Sequence, residues 1–210
     1  MSAFSRLYQR RVFPWLNDLV CSEPAIAQLR GETLAAATGR VVEIGFGTGL
    51  NLPHYPAGVS ELVAVEPNAG MVDRSGARVR AAAFPVRIVN GSAESLPLRD
   101  GAFDTAVSTL TLCSVADPAL ALAELRRVLR PGGRLLLLEH GLAPEPSVAR
   151  WQHRLDGLQQ VLACGCHLVR PVAALVAAQG FEMRQLRAFY LAGVPRPHGW
   201  MTLAEGVKAV

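Results

Sequence analysis

Apolar and polar residues follow two rhythms along this chain, and each change of rhythm marks an element. Residues 4–20 carry Phe4, Leu7, Tyr8, Val12, Trp15, Leu16, Leu19 and Val20 at helical spacing, with Pro14 expected to divide them into two short helices. A further helix is predicted over 26–37. Short apolar runs then predict buried strands at 41–44, 61–66, 86–90 and 103–110, and at 134–140 after a tight turn over Leu129-Arg130-Pro131-Gly132-Gly133. Between them lie a broken helix start at 51–56, a helix opening at 67–71, and one over 118–129 with Asp117 as its cap. Residues 148–162 place Trp151, Leu155, Leu158 and Leu162 on one helical face, and a helix from 170 is stopped by Gly180. Strands near 183–190 and 201–207 complete the alternation. This order predicts one α/β domain over 1–210, a mostly parallel seven-stranded sheet with helices on both faces, without repeat or linker.

Composition narrows the setting. The 210 residues are 50% hydrophobic and 18% charged, enough for a three-layer core. No apolar run approaches bilayer length, and residues 1–11 lack the apolar core of a signal peptide, so a cytoplasmic protein is expected. The four cysteines, Cys21, Cys113, Cys164 and Cys166, are expected to be reduced. A net charge of +4 is spread in ones and twos, as at Arg10-Arg11 and Arg126-Arg127, which excludes a nucleic-acid stripe. Peripheral membrane contact by the Arg-bearing segment 4–20 is a weaker alternative to a packed helix or a lid.

Chemistry concentrates at the end of the first strand. Glu43 precedes Gly45-Phe46-Gly47-Thr48-Gly49, glycines at alternate positions where backbone must turn sharply and approach a ligand. A dinucleotide fingerprint would place its third glycine one residue later, at Leu50. Glu66, 21 positions after Gly45, ends the second strand where a carboxylate can accept both hydroxyls of a ribose. These residues resemble the glycine loop of class I methyltransferases that use S-adenosylmethionine and release S-adenosylhomocysteine. The resemblance implies their Rossmann-like fold and a cofactor site at Glu43, Gly45, Phe46, Gly47, Gly49, Asn51, Glu66, Pro67 and Met71. It adds Ser92, Ala93 and Glu94 near the adenine, with Ser92 where Asp is commonest, and Thr109 and Leu110 beside the methyl. The Leu129-Arg130-Pro131-Gly132-Gly133 turn is a second mark of the class and departs from a nicotinamide oxidoreductase, the competing enzyme reading. A non-catalytic cofactor-binding partner is the other alternative.

Segments 51–56, 108–115, Glu139-His140, Trp151-Gln152 and 165–170 together resemble the methyltransferase-like 7 group, alkyl-thiol S-methyltransferases of animals, and its soluble bacterial relatives. The animal members carry a hydrophobic anchor, which is not expected here, and Val169 stands where a polar residue, commonly Asn, is expected. The resemblance implies a small-molecule acceptor, thiols first, with N-, O- or C-methylation of a small metabolite, quinol precursor or phospholipid head group as the alternative. Residues 1–37 are then expected to form a lid and 141–170 a wall of the substrate site. His140, at the ligand-facing end of strand five, is the candidate base for a thiol of ordinary pKa near 8.5. Tyr8, Cys113, Trp151 and His167 are the candidate substrate contacts. Cys164, Cys166 and His167 lack a fourth ligand at suitable spacing, so no metal is expected.

Overall fold

The computed structural model describes residues 7–209; the expected helix position Phe4 lies outside them. Among the described residues the sheet has seven strands, ordered β3-β2-β1-β4-β5-β7-β6. They are β1 Gly39–Ile44, β2 Val59–Val65, β3 Val86–Val89, β4 Phe103–Thr109, β5 Leu129–His140, β6 Phe181–Tyr190 and β7 Trp200–Lys208. The first five pair in parallel, and β7 runs antiparallel to both β5 and β6.

Both faces of the parallel strands are covered, which is why their sequences are continuous apolar runs rather than alternating ones. Successive side chains point to opposite faces. Val42, Ile44, Val63 and Leu137 therefore pack with Leu122 and Leu125 in one core, while Val41, Leu62, Ala64 and Leu136 pack with Leu34 in the other. Strand order reverses between β1 and β4, and open α/β sheets bind ligands beyond the carboxyl ends of the strands at such a point.

The helices are α1 Phe13–Cys21, α2 Pro24–Leu34, α3 Ala69–Ala81, α4 Pro118–Val128, α5 Pro146–Leu162, α6 Val172–Ala177 and α7 Arg196–Gly199. Asp117 caps α4 as expected, its Oδ1 accepting from the amides of Ala119 and Leu120. None of the helices among the described residues is long and apolar enough to cross a membrane.

Three expectations change. Pro14 marks a change of helix type rather than a break: a π-helical turn, Tyr8–Val12, gives way to α1 with Pro14 in its first turn, and Val12 and Phe13 at the junction both keep right-handed helical angles. The wider turn accommodates the ring and the missing amide of proline without breaking the chain's direction. The stretch around Pro131-Gly132-Gly133 is a bulge inside β5, since Phe103 pairs with Leu129 but Thr105 with Arg134.

The third change concerns α5, which does not present Trp151, Leu158 and Leu162 to the core. Trp151 is 55% exposed, its ring under the Arg154 guanidinium. The helix is held instead by buried Gln152, whose amide donates to the carbonyls of Gly141 and Pro197 and accepts from the amide of Ala143. A buried amide satisfied on both sides, with buried Val148 beside it, anchors the helix by a face about a quarter turn from the apolar stripe.

Candidate active site

Each glycine of the loop after β1 is glycine for a different reason. All three have positive φ: +62° at Gly45, +58° at Gly47 and +80° at Gly49. A Cβ at Gly45 would strike Thr111, and one at Gly49 would come within 3.1 Å of the Phe46 ring. At Gly47 it would meet nothing nearer than the Gly45 carbonyl at 3.8 Å, so it would project into the crevice. Gly47 thus keeps main chain bare where a ligand approaches. Its amide donates to Glu66 Oε2 over 2.8 Å, and the Asn68 amide donates to Oε1 at the same distance. Burial raises the pKa of Glu66, against those two amides, which lower it.

Beneath the loop lies a polar network that sequence reading found only in part. Tyr55 donates its hydroxyl to Glu43 Oε2 over 2.6 Å, and Asn51 Nδ2 donates to Glu43 Oε1 and to Thr109 Oγ1. Arg30 Nη1, from α2, donates to Asn51 Oδ1 over 2.7 Å and to Thr109 Oγ1 over 2.9 Å. Glu43 and Asn51 are each 1% exposed, which leaves them almost no surface for a ligand; they brace the loop from below. Burial pushes the Glu43 carboxyl up to about 7, against the hydrogen bond from Tyr55 and the charge of Arg30. No local signal marks Arg30, a buried cation on a helix without a clear apolar stripe.

The other cofactor candidates divide similarly. Met71 and Ala93 are buried, whereas Pro67 and Ser92 are exposed. Glu94 turns aside: it accepts from Ser92 and, through Oε1, from the amides of Ala116 and Asp117, so it fastens the β3–β4 connection to the start of α4. Leu110 holds a φ of +54°, unusual for a branched side chain, directly where β4 ends at the crevice.

A cavity of about 650 Å³ adjoins that point. Leu16, Val20 and Ile26 of α1 and α2 close one side, Leu162 and Leu168 another, Leu191 and Val194 a third, and Leu110, Cys113 and His140 line the sheet side. Three of the expected substrate contacts fall elsewhere. Trp151 faces outward; His167 binds Asp156 Oδ2 over 3.1 Å; Tyr8 donates its hydroxyl to the carbonyl of Leu162, joining the amino-terminal turn to the end of α5. Cys113 lines the cavity. Cys164 and His167 do not line the cavity, but Cys166 does, with its sulfur 3.1 Å from His140 Nε2. Contact with Cys113 and burial push the Cys166 thiol well up, against the pull of His140.

Two further carboxylates have a role that the sequence did not assign. Asp18 of α1 accepts from Thr48 Oγ1 over 2.5 Å and from Arg78 Nη1 over 2.9 Å, which fastens α1 to the glycine loop and to α3. Glu139, fully buried, accepts from Ser108 Oγ and from the amides of Thr111 and Leu112, and so fixes the turn that carries Cys113.

Comparison with known proteins agrees with this geometry. Residues 42–137 match the Methyltransferase domain family. The chain is 34% identical over 176 residues to thiol S-methyltransferase TMT1B of Rattus norvegicus, covering 81% of this chain and 70% of that one. It is 33% identical over 131 residues to demethylmenaquinone methyltransferase of Clavibacter sepedonicus, covering 62% of this chain and 50% of that one. The crystal structure of a Thermotoga maritima SAM-dependent methyltransferase superposes with a TM-score of 0.69 at 24% identity, over 96% of this chain and 98% of the other. The bare main chain at Gly47 and the carboxylate beside it fit an adenosyl group, the strand order matches, and the likeness spans most of both chains: the protein belongs to the S-adenosylmethionine-dependent methyltransferase family that includes TMT1B.

Proposed function

We propose that this methyltransferase acts on the sulfur of a small, largely apolar thiol. The observation that carries the reading is the cavity: largely aliphatic walls and, on the sheet side, two sulfurs and an imidazole brought together, with Asn17, Glu23, Gln159 and His198 as further polar groups in the lining. The similarity to a thiol S-methyltransferase supports it. When bound, S-adenosylmethionine supplies a methyl already made electrophilic by its sulfonium, so the chain needs no nucleophile of its own. Its residues bind, align and exclude water. Gly47 admits the cofactor to the main chain, and Glu66 holds its sugar, with Met71 and Ala93 as apolar neighbours. Leu110 stands where cofactor crevice and acceptor cavity meet. Holding the two reactants in line there is worth several kcal/mol of barrier.

His140 opens on the cavity, but its Nε2 is engaged by Cys166, so in this reading it contacts the acceptor as part of a cluster rather than as a free base. The amino-terminal helices serve as the lid, since α1 and α2 close one wall and Asp18 latches α1 to the glycine loop.

Release of S-adenosylhomocysteine with alkyl and aryl thiols, amines, phenols and a demethylmenaquinol analogue tests the assignment. Turnover is expected with the thiols. Turnover confined to amines or phenols would overturn it. The similarity to demethylmenaquinone methyltransferase favours a second reading, C-methylation of a quinol precursor, which turnover on the quinol analogue alone would establish.

A further inference from the structure

Three side chains far apart in sequence converge at the inner end of the cavity. Cys113 comes from the turn after β4, His140 from the last residue of β5, and Cys166 from the loop between α5 and α6. Their ligand atoms all lie within 4.8 Å of one another, and all three residues line the cavity. The surrounding chain holds this arrangement. The His167 amide donates to the Cys113 carbonyl over 2.8 Å, and the Leu168 amide to Asp156 Oδ1 over 2.7 Å. Glu139 fixes the Cys113 turn from the other side, and Gln159 Nε2 donates to Cys166 Sγ over 3.5 Å.

We propose that Cys113, His140 and Cys166 form a three-ligand site for a zinc-class divalent cation, with the fourth position open to the cavity for the acceptor's sulfur. The inference rests on the thiol reading above and names how the thiol is held.

The donor set selects the ion. Two sulfurs and an imidazole without a carboxylate suit zinc and exclude calcium or magnesium. Three protein ligands with one open position is the pattern of catalytic rather than structural zinc. With metal–sulfur and metal–nitrogen bonds of about 2.3 and 2.0 Å, tetrahedral ligand atoms sit roughly 3.5–4 Å apart, so the cluster needs only a small adjustment. Two thiolates neutralise the dication, and the Gln159 amide is placed to donate to one of them.

The step balances. A thiol entering the open position exchanges its S–H bond for a metal–sulfur bond, and the proton leaves to solvent. The bound sulfur keeps a lone pair, which forms the new C–S bond as the sulfonium's C–S bond breaks. The thioether product, a neutral and weaker ligand, departs.

The test uses the full chain, reduced, stripped with a chelator and titrated with zinc, then with cobalt as a spectroscopic probe. One equivalent per chain is expected, with a sulfur-to-cobalt charge-transfer band. Cys166→Ser should weaken zinc binding by more than the ~10–100-fold that outer-ligand changes produce, with S-adenosylmethionine binding kept as evidence of folding. Cys164→Ser, outside the cluster, should bind zinc as the parent does. Failure of the reduced parent to bind zinc, or equal binding by Cys166→Ser, overturns the site. If the metal-free protein methylates thiols at an unchanged rate, the metal's role falls while the thiol reading stands. Zinc bound stoichiometrically in an enzyme that methylates only amines or phenols would keep the site and overturn its role toward a thiol.

Discussion

At Gly47 a single missing carbon decides whether a ligand can reach the main chain. Gly47→Val places a branched side chain in the crevice at a φ of +58°, where such residues are strained by about 1–3 kcal/mol. Calorimetric titration should show S-adenosylmethionine affinity falling by more than about 100-fold, a loss of some 3 kcal/mol. Glu43 makes a different prediction, about pH. Its folded pKa near 7 lies above the ordinary 4.5, so the folded state holds a proton that the unfolded state has released. The stability this contributes is complete below about pH 4.5 and is lost as pH rises through 7. Glu43→Gln, which removes the titrating group, should flatten that decline, measured by urea unfolding between pH 4.5 and 8.

Among the elements, the amino-terminal helix shows why periodicity alone misleads. Its apolar residues are real, yet Trp15, Leu19 and Val20 are exposed, and α1 is held across the crevice by the contacts of Asp18 with Thr48 and Arg78. Hydrogen bonds to a charged partner are worth about 1.5–3 kcal/mol, roughly tenfold or more in an opening equilibrium. Asp18→Ala should therefore raise the acceptor KM several-fold with a smaller change in kcat, and should speed cleavage of the segment before Phe13 under limited proteolysis. An unchanged KM would show that α1 is packing and not a lid. Helix α5 teaches the same lesson from the other side. Trp151 and Leu158 of its stripe point outward because Gln152, a residue that reads as surface, finds three main-chain partners in the interior.

For the whole molecule, a ligand that binds only the folded state raises stability by mass action. S-adenosylmethionine at 100 times its Kd should add about 2.7 kcal/mol, or roughly 5–10 °C in Tm for a chain of this size, and scanning calorimetry should show no such shift for Gly47→Val. Much of this architecture was legible before any coordinates: the seven strands, the Asp117 cap, the glycine loop and Glu66 all follow from residues close together in the chain. Local rules suffice there, because strand burial, capping and positive φ are properties of a few neighbouring residues. What tertiary structure alone decided is which distant groups meet. Arg30 finds Asn51 and Thr109, Asp18 finds Thr48, and Cys166 joins Cys113 and His140 rather than its neighbours Cys164 and His167. Those meetings depend on strand order and on which face of each helix is turned inward, and a periodic pattern identifies a face without saying what will cover it.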